Sequence, residues 1–392
     1  MIAAVVGAAW RTPLGREVGA VASRLLAGER AARSSPLFDA SSYRCALGAA
    51  IPDAPQAGRH RRFLDRLGLH ALEAGVDALA ATGLRPGDPR LDRTGLFVGT
   101  AGPRPRWEEM LAAFSAGRGV GPWACGLEKL HPFWMLQHLT NNAHALLSME
   151  AGIRGEGATF GGGIAGAEAL LAGARALQAG AVDLALVVAY DSLLASEALV
   201  DLGARGVVAE CRLESLRPAY DEEASGIVPG EAAVAVVLAR PGDVPGEAGR
   251  IDVATGADGS PLPTGEPRAC AVAEIASRVS RSDPVVDGAA WSLRERDDEE
   301  RREVSRLVAS GALLTASSAA FGTLGAAAPV ARVVAWIELL RRRSIPPIAG
   351  LRRAAGGPLS PVAAPRVAPV RSVLLLSSGR PGLASAVRLE VA

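Results

Sequence analysis

Twice in this chain a short apolar strand runs into a glycine-bearing turn and then into an alanine-rich helix, and this recurrence limits the fold more than any other feature. In the first copy, Ala158 to Phe160 reads as a short buried strand. Gly161 to Gly163 then supplies backbone able to turn at positive φ, and Ala165 to Ala179 holds no helix breaker besides two glycines. In the second, Leu313 to Ser318 is strand-like, Ala319 to Gly325 turns, and Ala326 to Arg341 is helical until Ile345-Pro346-Pro347 stops it. Two similar halves, each alternating strands with helices, imply a three-layer or five-layer α/β protein with buried sheets. The Pro- and Gly-rich stretch Pro241 to Gly249 is the best boundary between them, giving residues 1–240 and 241–392.

The remaining elements fit that scheme. Ile2 to Ala8, Gly95 to Gly99, Leu184 to Tyr190, Ala232 to Ala239, Ile251 to Thr255 and Pro284 to Asp287 read as strands, and Val370 to Leu376 with Ala384 to Val391 would complete the second sheet. Helices are expected over Glu17 to Leu26, Arg61 to Thr82, Trp107 to Ala116, His131 to Ala151, Ala269 to Ser277 and Asp297 to Ala309. Met1 to Ala9 lacks a basic leader and is closed by Trp10-Arg11-Thr12-Pro13, so it is a first strand and not a signal peptide.

Composition removes several function classes. A net charge of +1 steers the chain toward neither nucleic acid nor an anionic membrane, and no apolar run reaches spanning length. Cys45, Cys125, Cys211 and Cys270 have no C-x-x-C spacing, which argues against a zinc site and a secreted disulfide scaffold and for reduced cytoplasm. Lys129 is the only lysine, and all five histidines lie within the first 144 residues, so no later segment can supply an imidazole or an amine. His138 and His144 are not three or four apart, as metal ligands on one helix face would be, and read as structural. No metal and no cofactor is expected.

An elbow of this kind aims the first helical turn outward, where orphan N–H groups and the positive helix end activate a nucleophile. Residues 161–166 are Gly-Gly-Gly-Ile-Ala-Gly, and none is a nucleophile. Gly161, Gly163 and Gly166 also match G-x-G-x-x-G, with Asp191 as a conceivable ribose ligand, but 45 glycines in 392 residues make chance matches common, and a structural tight turn is the plainer reading.

Over nearly its full length the chain resembles a β-ketoacyl synthase of the thiolase fold, which implies two pseudo-symmetric halves in an αβαβα layering. The opening VVGAAWRTPLG is similar to that family's first strand and turn, and Leu25-Leu26-Ala27-Gly28 to the end of its first helix. Arg93 to Thr100 resembles R-x-G-x-x-x-G-[ST]. Arg217-Pro218-Ala219-Tyr220-Asp221 through Gly226 to Glu231 resembles R-P-F-D-x-x-R-x-G-F-V-x-G-E-G. Gly322 to Ala326 and Ile345-Pro346-Pro347 resemble two later marks, G-H-x-x-G-A and I-P-P.

The departures from the family fall on its chemistry. The resemblance puts Gly163 where active members carry the acyl-accepting cysteine. It puts Gly288 and Gly322 where they carry two histidines, and Ser317 where they carry a lysine; Ser378-Gly379-Arg380-Pro381-Gly382 replaces the gating G-F-G-G loop. Loss of the acyl acceptor and both imidazoles removes the nucleophilic and acid–base contributions together. The resemblance then implies a noncatalytic chain-length factor, which pairs with an active β-ketoacyl synthase subunit of a type II polyketide or fatty-acid-like synthase, meets acyl carrier protein through that complex, and shapes the acyl tunnel. Pairing would run through the strand Ala158, Thr159, Phe160, Gly161 and Gly162, and Trp107, Met110, Phe114, Phe133 and Trp134 would lie along the tunnel, although Trp107, Met110, Leu111 and Phe114 also satisfy a plain core-facing stripe. Two other readings stand beside it: an acyl-transfer enzyme with a relocated nucleophile, Cys125 or a serine with His131 or His138, and a homodimeric acyl-thioester binding protein.

Overall fold

The computed structural model describes residues 2–35, 37, 39–56, 58–104, 107–116, 127–257, 269–379 and 382–391. Eleven strands form the main sheet: β1 (Ile2–Arg11), β2 (Thr94–Thr100), β3 (Gly157–Gly161), β4 (Leu184–Ser192), β5 (Glu231–Ala239), β6 (Gly249–Ala257), β7 (Val285–Asp287), β8 (Leu313–Thr315), β9 (Ser360–Pro361), β10 (Ser372–Gly379) and β11 (Leu383–Glu390). Their order is β9-β8-β7-β10-β11-β6-β1-β5-β4-β2-β3. Strands β3, β2 and β4 run parallel at one end and β10, β7, β8 and β9 at the other, joined through antiparallel pairs in which β1 bonds to both β5 and β6.

The helices are α1 (Val18–Leu26), α2 (Arg66–Ala81), α3 (Trp107–Ala116), α4 (Trp134–Gln137), α5 (Asn142–Ala151), α6 (Ala165–Gln178), α7 (Ser196–Ala204), α8 (Ala269–Ser277), α9 (Arg294–Val304), α10 (Ser318–Phe321) and α11 (Ala328–Arg341). Helix α6 touches β2 and β4 on one side and β6 and β11 on the other, so the sheet folds over it. Helix α11 shares that middle layer, and eleven of its fourteen residues are buried, as a helix enclosed on every side requires. With α2 packed on the outer face of β1, β5 and β4, and α8 on that of β6, β10 and β11, the architecture is the expected αβαβα. Strand β5 is buried at every residue because both of its faces are covered.

Several local expectations need correction. The helix expected from Arg61 starts at Arg66, because the Asp65 carboxylate accepts from the Gly68 amide at 2.7 Å and caps it there. The single helix expected from His131 to Ala151 is broken between α4 and α5, where the Asn142 side-chain amide donates to the Leu136 carbonyl at 2.9 Å and replaces a helical bond. The helix expected over Asp297 to Ala309 is α9, three residues earlier at its start. The segment 158–160, expected as buried, is the core of the outermost strand β3, whose residues are half-buried or exposed because nothing among the described residues pairs with its far edge.

Candidate functional site

The carboxyl ends of the parallel strands converge on a cavity of about 400 Å³, the place where open α/β sheets bind ligands. At the first elbow Gly162 has φ +119°, a conformation that side chains disfavour, and its amide donates to the Thr100 carbonyl at 3.2 Å. A Cβ on Gly166 would lie 2.4 Å from the Ala326 carbonyl oxygen, so this glycine lets the two elbows touch. The third glycine of the apparent dinucleotide motif thus has a packing role. Asp191 is also engaged: it is 1% exposed, accepts from the Ala326 amide at 2.9 Å and pairs with Arg104.

Gly163 and Gly322 both line this cavity, and Ala289 puts the segment after Gly288 into its wall. Each of the three glycines is closely packed. A Cβ on Gly379, at the end of β10, would meet the Gly163 backbone at 2.6 Å, so the strand end rests directly on the elbow. Gly322 has φ +78°, and a Cβ there would lie 2.8 Å from Cβ of Ala49. A Cβ on Gly288 would lie 1.9 Å from the Tyr220 hydroxyl. That phenol is buried, and its hydroxyl donates to Glu300 Oε2 at 2.7 Å. Arg380 and Pro381, in the segment expected to stand in place of a gating loop, lie outside the described residues.

Buried carboxylates brace the walls. Asp287, at the end of β7, accepts from the Ser317 amide at 2.9 Å, the Ser317 hydroxyl at 2.6 Å and the Trp336 indole at 2.8 Å. Glu300 accepts from Tyr220 and from the Ala289 amide at 2.7 Å; burial pushes its carboxyl up, against these hydrogen bonds. Asp297 is pushed well up by burial and then by the neighbouring Glu300. Among the described residues lining the cavity there is no thiol, imidazole or amine; hydroxyls, Arg332, the Arg104–Asp191 pair, Glu197, Asp201 and Arg205 supply its polarity. Sequence reasoning missed Asp287, Glu300 and Asp297 as site residues, although an acid ending the apolar run Val285-Val286-Asp287 was a visible signal.

Of the residues expected at the partner interface and tunnel, Gly162 lines this cavity, and among the described residues none of the others does. Strand β3 bonds only to β2, and its other edge is open among the described residues. Ala158, Thr159 and Phe160 are half-buried, with Thr159 Oγ1 3.2 Å from His144 Nδ1. On α3 to α5 Leu111, Phe114, Met135 and Met149 are 56%, 51%, 61% and 78% exposed, so Leu111 and Phe114 of the stripe are not covered among the described residues. Met110 is half-buried, and Phe133 packs edge-on against Phe63 with ring centroids 5.4 Å apart. Trp134 is buried: its ring lies 4.5 Å from that of His138, and its indole donates to Glu109 at 3.3 Å. The Trp107 side chain, like the whole of Cys125, lies outside the described residues. His138 Nδ1 is 2.8 Å from the Trp134 carbonyl and His131 Nδ1 accepts from the Phe133 amide at 3.2 Å, so both imidazoles take part in local hydrogen bonding.

Comparison with known proteins agrees with this geometry. Residues 3–243 match the family model for the N-terminal domain of β-ketoacyl synthases. A β-ketoacyl synthase from Burkholderia phymatum STM815 superposes with a TM-score of 0.85 at 18% identity, covering 100% of this chain and 99% of its own. The ishigamide ketosynthase/chain length factor gives the same TM-score, identity and coverage. A type II polyketide synthase ketosynthase, bound to a hexaketide and in complex with its acyl-carrier protein (AntDE:AntF), gives 0.82 at 16% identity, again over 100% and 99%. No curated protein sequence matches the chain. With the thiolase-type layering, the two elbows and a family model spanning more than half of its length, the chain belongs to the β-ketoacyl synthase family.

Proposed function

We propose that this chain is a noncatalytic ketosynthase-like subunit, a chain-length factor, that forms a heterodimer with an active β-ketoacyl synthase and shapes the acyl tunnel of a type II polyketide or fatty-acid-like synthase. The observation that carries this reading is the packing at Gly288. The space that any side chain would need there holds the Tyr220 hydroxyl, so the change at this position is built into the surrounding core. Together with glycine at 163 and 322, this leaves the three reacting positions of the resembled family without a side chain. Acyl carrier protein would meet the complex through the active partner, in the cytoplasm, and no cofactor is called for. No helix among the described residues is long and apolar enough to cross a membrane.

The open edge of β3 and the exposed apolar side chains of α3 to α5 support the partner. An uncovered strand edge beside apolar surface invites association, and obligate interfaces commonly bury on the order of 2,000–5,000 Å². In this reading Ala158 to Gly162 pair with the equivalent strand of the synthase. Met110, Phe114 and Phe133, with Trp107, border the tunnel across the interface, while Trp134 backs it. Co-expression with an intact ketosynthase tests the proposal: a stable one-to-one complex is expected on size exclusion with light scattering. A monodisperse monomer of this chain that ignores the synthase at micromolar concentration overturns it.

A further inference from the structure

The stretch Leu339 to Leu389 contains nine arginines and no acidic residue, an imbalance that the whole-chain charge of +1 conceals. Arg342, Arg353 and Arg388 find carboxylates nearby, in Glu338, in Glu222 with Glu223, and in Asp283 with Glu390. Arg352 donates to the Glu214 carbonyl at 3.0 Å, and Arg380 lies outside the described residues. The other four, Arg341, Arg343, Arg366 and Arg371, are exposed, and none meets a carboxylate among the described residues.

The fold gathers these four. Arg341 ends α11 and Arg343 follows it; the Arg343 carbonyl accepts from the Ala368 amide at 2.9 Å, where Ser344–Ile345 pairs with Arg366–Val367. Arg371 directly precedes β10. Ala328, at the other end of α11, lines the cavity between the elbows, so the fourteen residues of this helix put Arg341 about 20 Å away from it.

Among these arginines runs Pro361 to Val370, whose only polar side chain is Arg366. Ala363, Ala364, Pro365 and Pro369 are exposed, and Val367 is 87% exposed, so the loop offers apolar groups to solvent beside unneutralised positive charge. Its three prolines carry no backbone N–H, which lowers the cost of taking the loop out of water. An anionic lipid surface answers both features together: phosphate oxygens accept from the guanidinium groups, and the apolar loop enters the headgroup layer between them. A purely acidic partner would answer the charge and leave the loop in water.

We propose that this face docks on an anionic phospholipid surface, with Arg341, Arg343, Arg366 and Arg371 on the headgroups and Val367 among them. The inference does not rest on the subunit reading. Vesicle flotation of the full-length chain, alone or with its synthase, in about 0.15 M salt compares phosphatidylcholine with an equal mixture of phosphatidylcholine and phosphatidylglycerol. Partition is expected onto the mixed vesicles alone. Arg366→Gln should weaken it about fivefold, the worth of one arginine near such a surface, and Arg341→Gln/Arg343→Gln/Arg366→Gln/Arg371→Gln at least about a hundredfold. Arg62→Gln/Arg85→Gln/Arg212→Gln/Arg302→Gln removes the same charge from exposed positions elsewhere and should leave most of the binding in place. Val367→Ser, which keeps every charge, should lower partition about threefold. Equal partition onto both vesicle types, or onto neither, overturns the proposal, as does an equal loss in the two fourfold variants. Retention on acyl carrier protein through the same four arginines, without vesicle binding, makes the occupant a protein and overturns it too. Failure to associate with a ketosynthase bears on the subunit reading alone.

Discussion

Placing a methyl group at Gly288 probes the packing on which the functional reading depends. Gly288→Ala puts Cβ 1.9 Å from the Tyr220 hydroxyl and 3.2 Å from Glu300 Oε1, so the phenol must move by more than an ångström. The ring cannot swing aside freely, since Tyr220 is 1% exposed and sits on strained backbone at φ +64°. Displacement therefore breaks the 2.7 Å bond to Glu300 and overpacks the core. Overpacking at about 1–3 kcal/mol and a lost buried hydrogen bond at about 1–3 kcal/mol together give a destabilisation of about 2–6 kcal/mol. Tyr220→Phe alone removes only the bond, at about 1–3 kcal/mol. In Gly288→Ala/Tyr220→Phe the obstructing oxygen is gone and the bond is lost once, not twice, so the double variant should be more stable than the sum of the singles by the overpacking and one bond, about 2–6 kcal/mol. Thermal unfolding midpoints of the four proteins complete the cycle. Additive effects, or a Gly288→Ala midpoint indistinguishable from that of the native protein, would refute the claim that the tyrosine fills the vacated space.

Three further outcomes follow from the same structure. Burial raises Asp297 and Glu300 in the fold above their ordinary values of 3.8 and 4.5, so the folded state holds these protons more tightly. That contribution is full below those values and is lost as pH rises through the folded ones; stability measured against pH should therefore decline less steeply on the alkaline side of this window in Asp297→Asn. His70 has the opposite sign: burial, then Arg66 and Arg11, lower it from 6.5 to about 4, so its contribution is present above 6.5 and lost as pH falls toward 4, and His70→Asn should flatten that limb. Phe114 is half-exposed, so Phe114→Ala should cost the isolated chain no more than about 1 kcal/mol, against the 3–5 kcal/mol of a buried phenylalanine, while lengthening the products of the co-expressed pair; unchanged product lengths by mass spectrometry would remove it from the tunnel.

The repeated elbow was legible because its signals are local. Glycine at 162 meets a positive φ within one turn, and the enclosed helix α11 is written in its own apolar residues. The layered fold then follows from placing two such units face to face. The braces of the site were not legible in the same way: Tyr220 and Glu300 are 80 residues apart, and Arg104 and Asp191 are 87 apart, so nothing in either neighbourhood announces the other. The spacing of Met110, Leu111 and Phe114 predicts a helix but not what covers it, because helical period is the same for a face buried in the chain and one left to a partner. Strand β3 was misread as buried for a related reason, since an apolar strand at a sheet edge has the same composition as one inside.

The central claim is that the acyl chain is never carried by this subunit. Intact-mass spectrometry of the chain co-purified with an active ketosynthase, after incubation with an acyl-carrier-protein thioester, reads this directly. A mass increase equal to the acyl group is expected on the partner alone, with this chain at its unmodified mass. An acyl adduct on this chain that survives denaturation, and that maps to Cys125 or to any serine on peptide digestion, would contradict it.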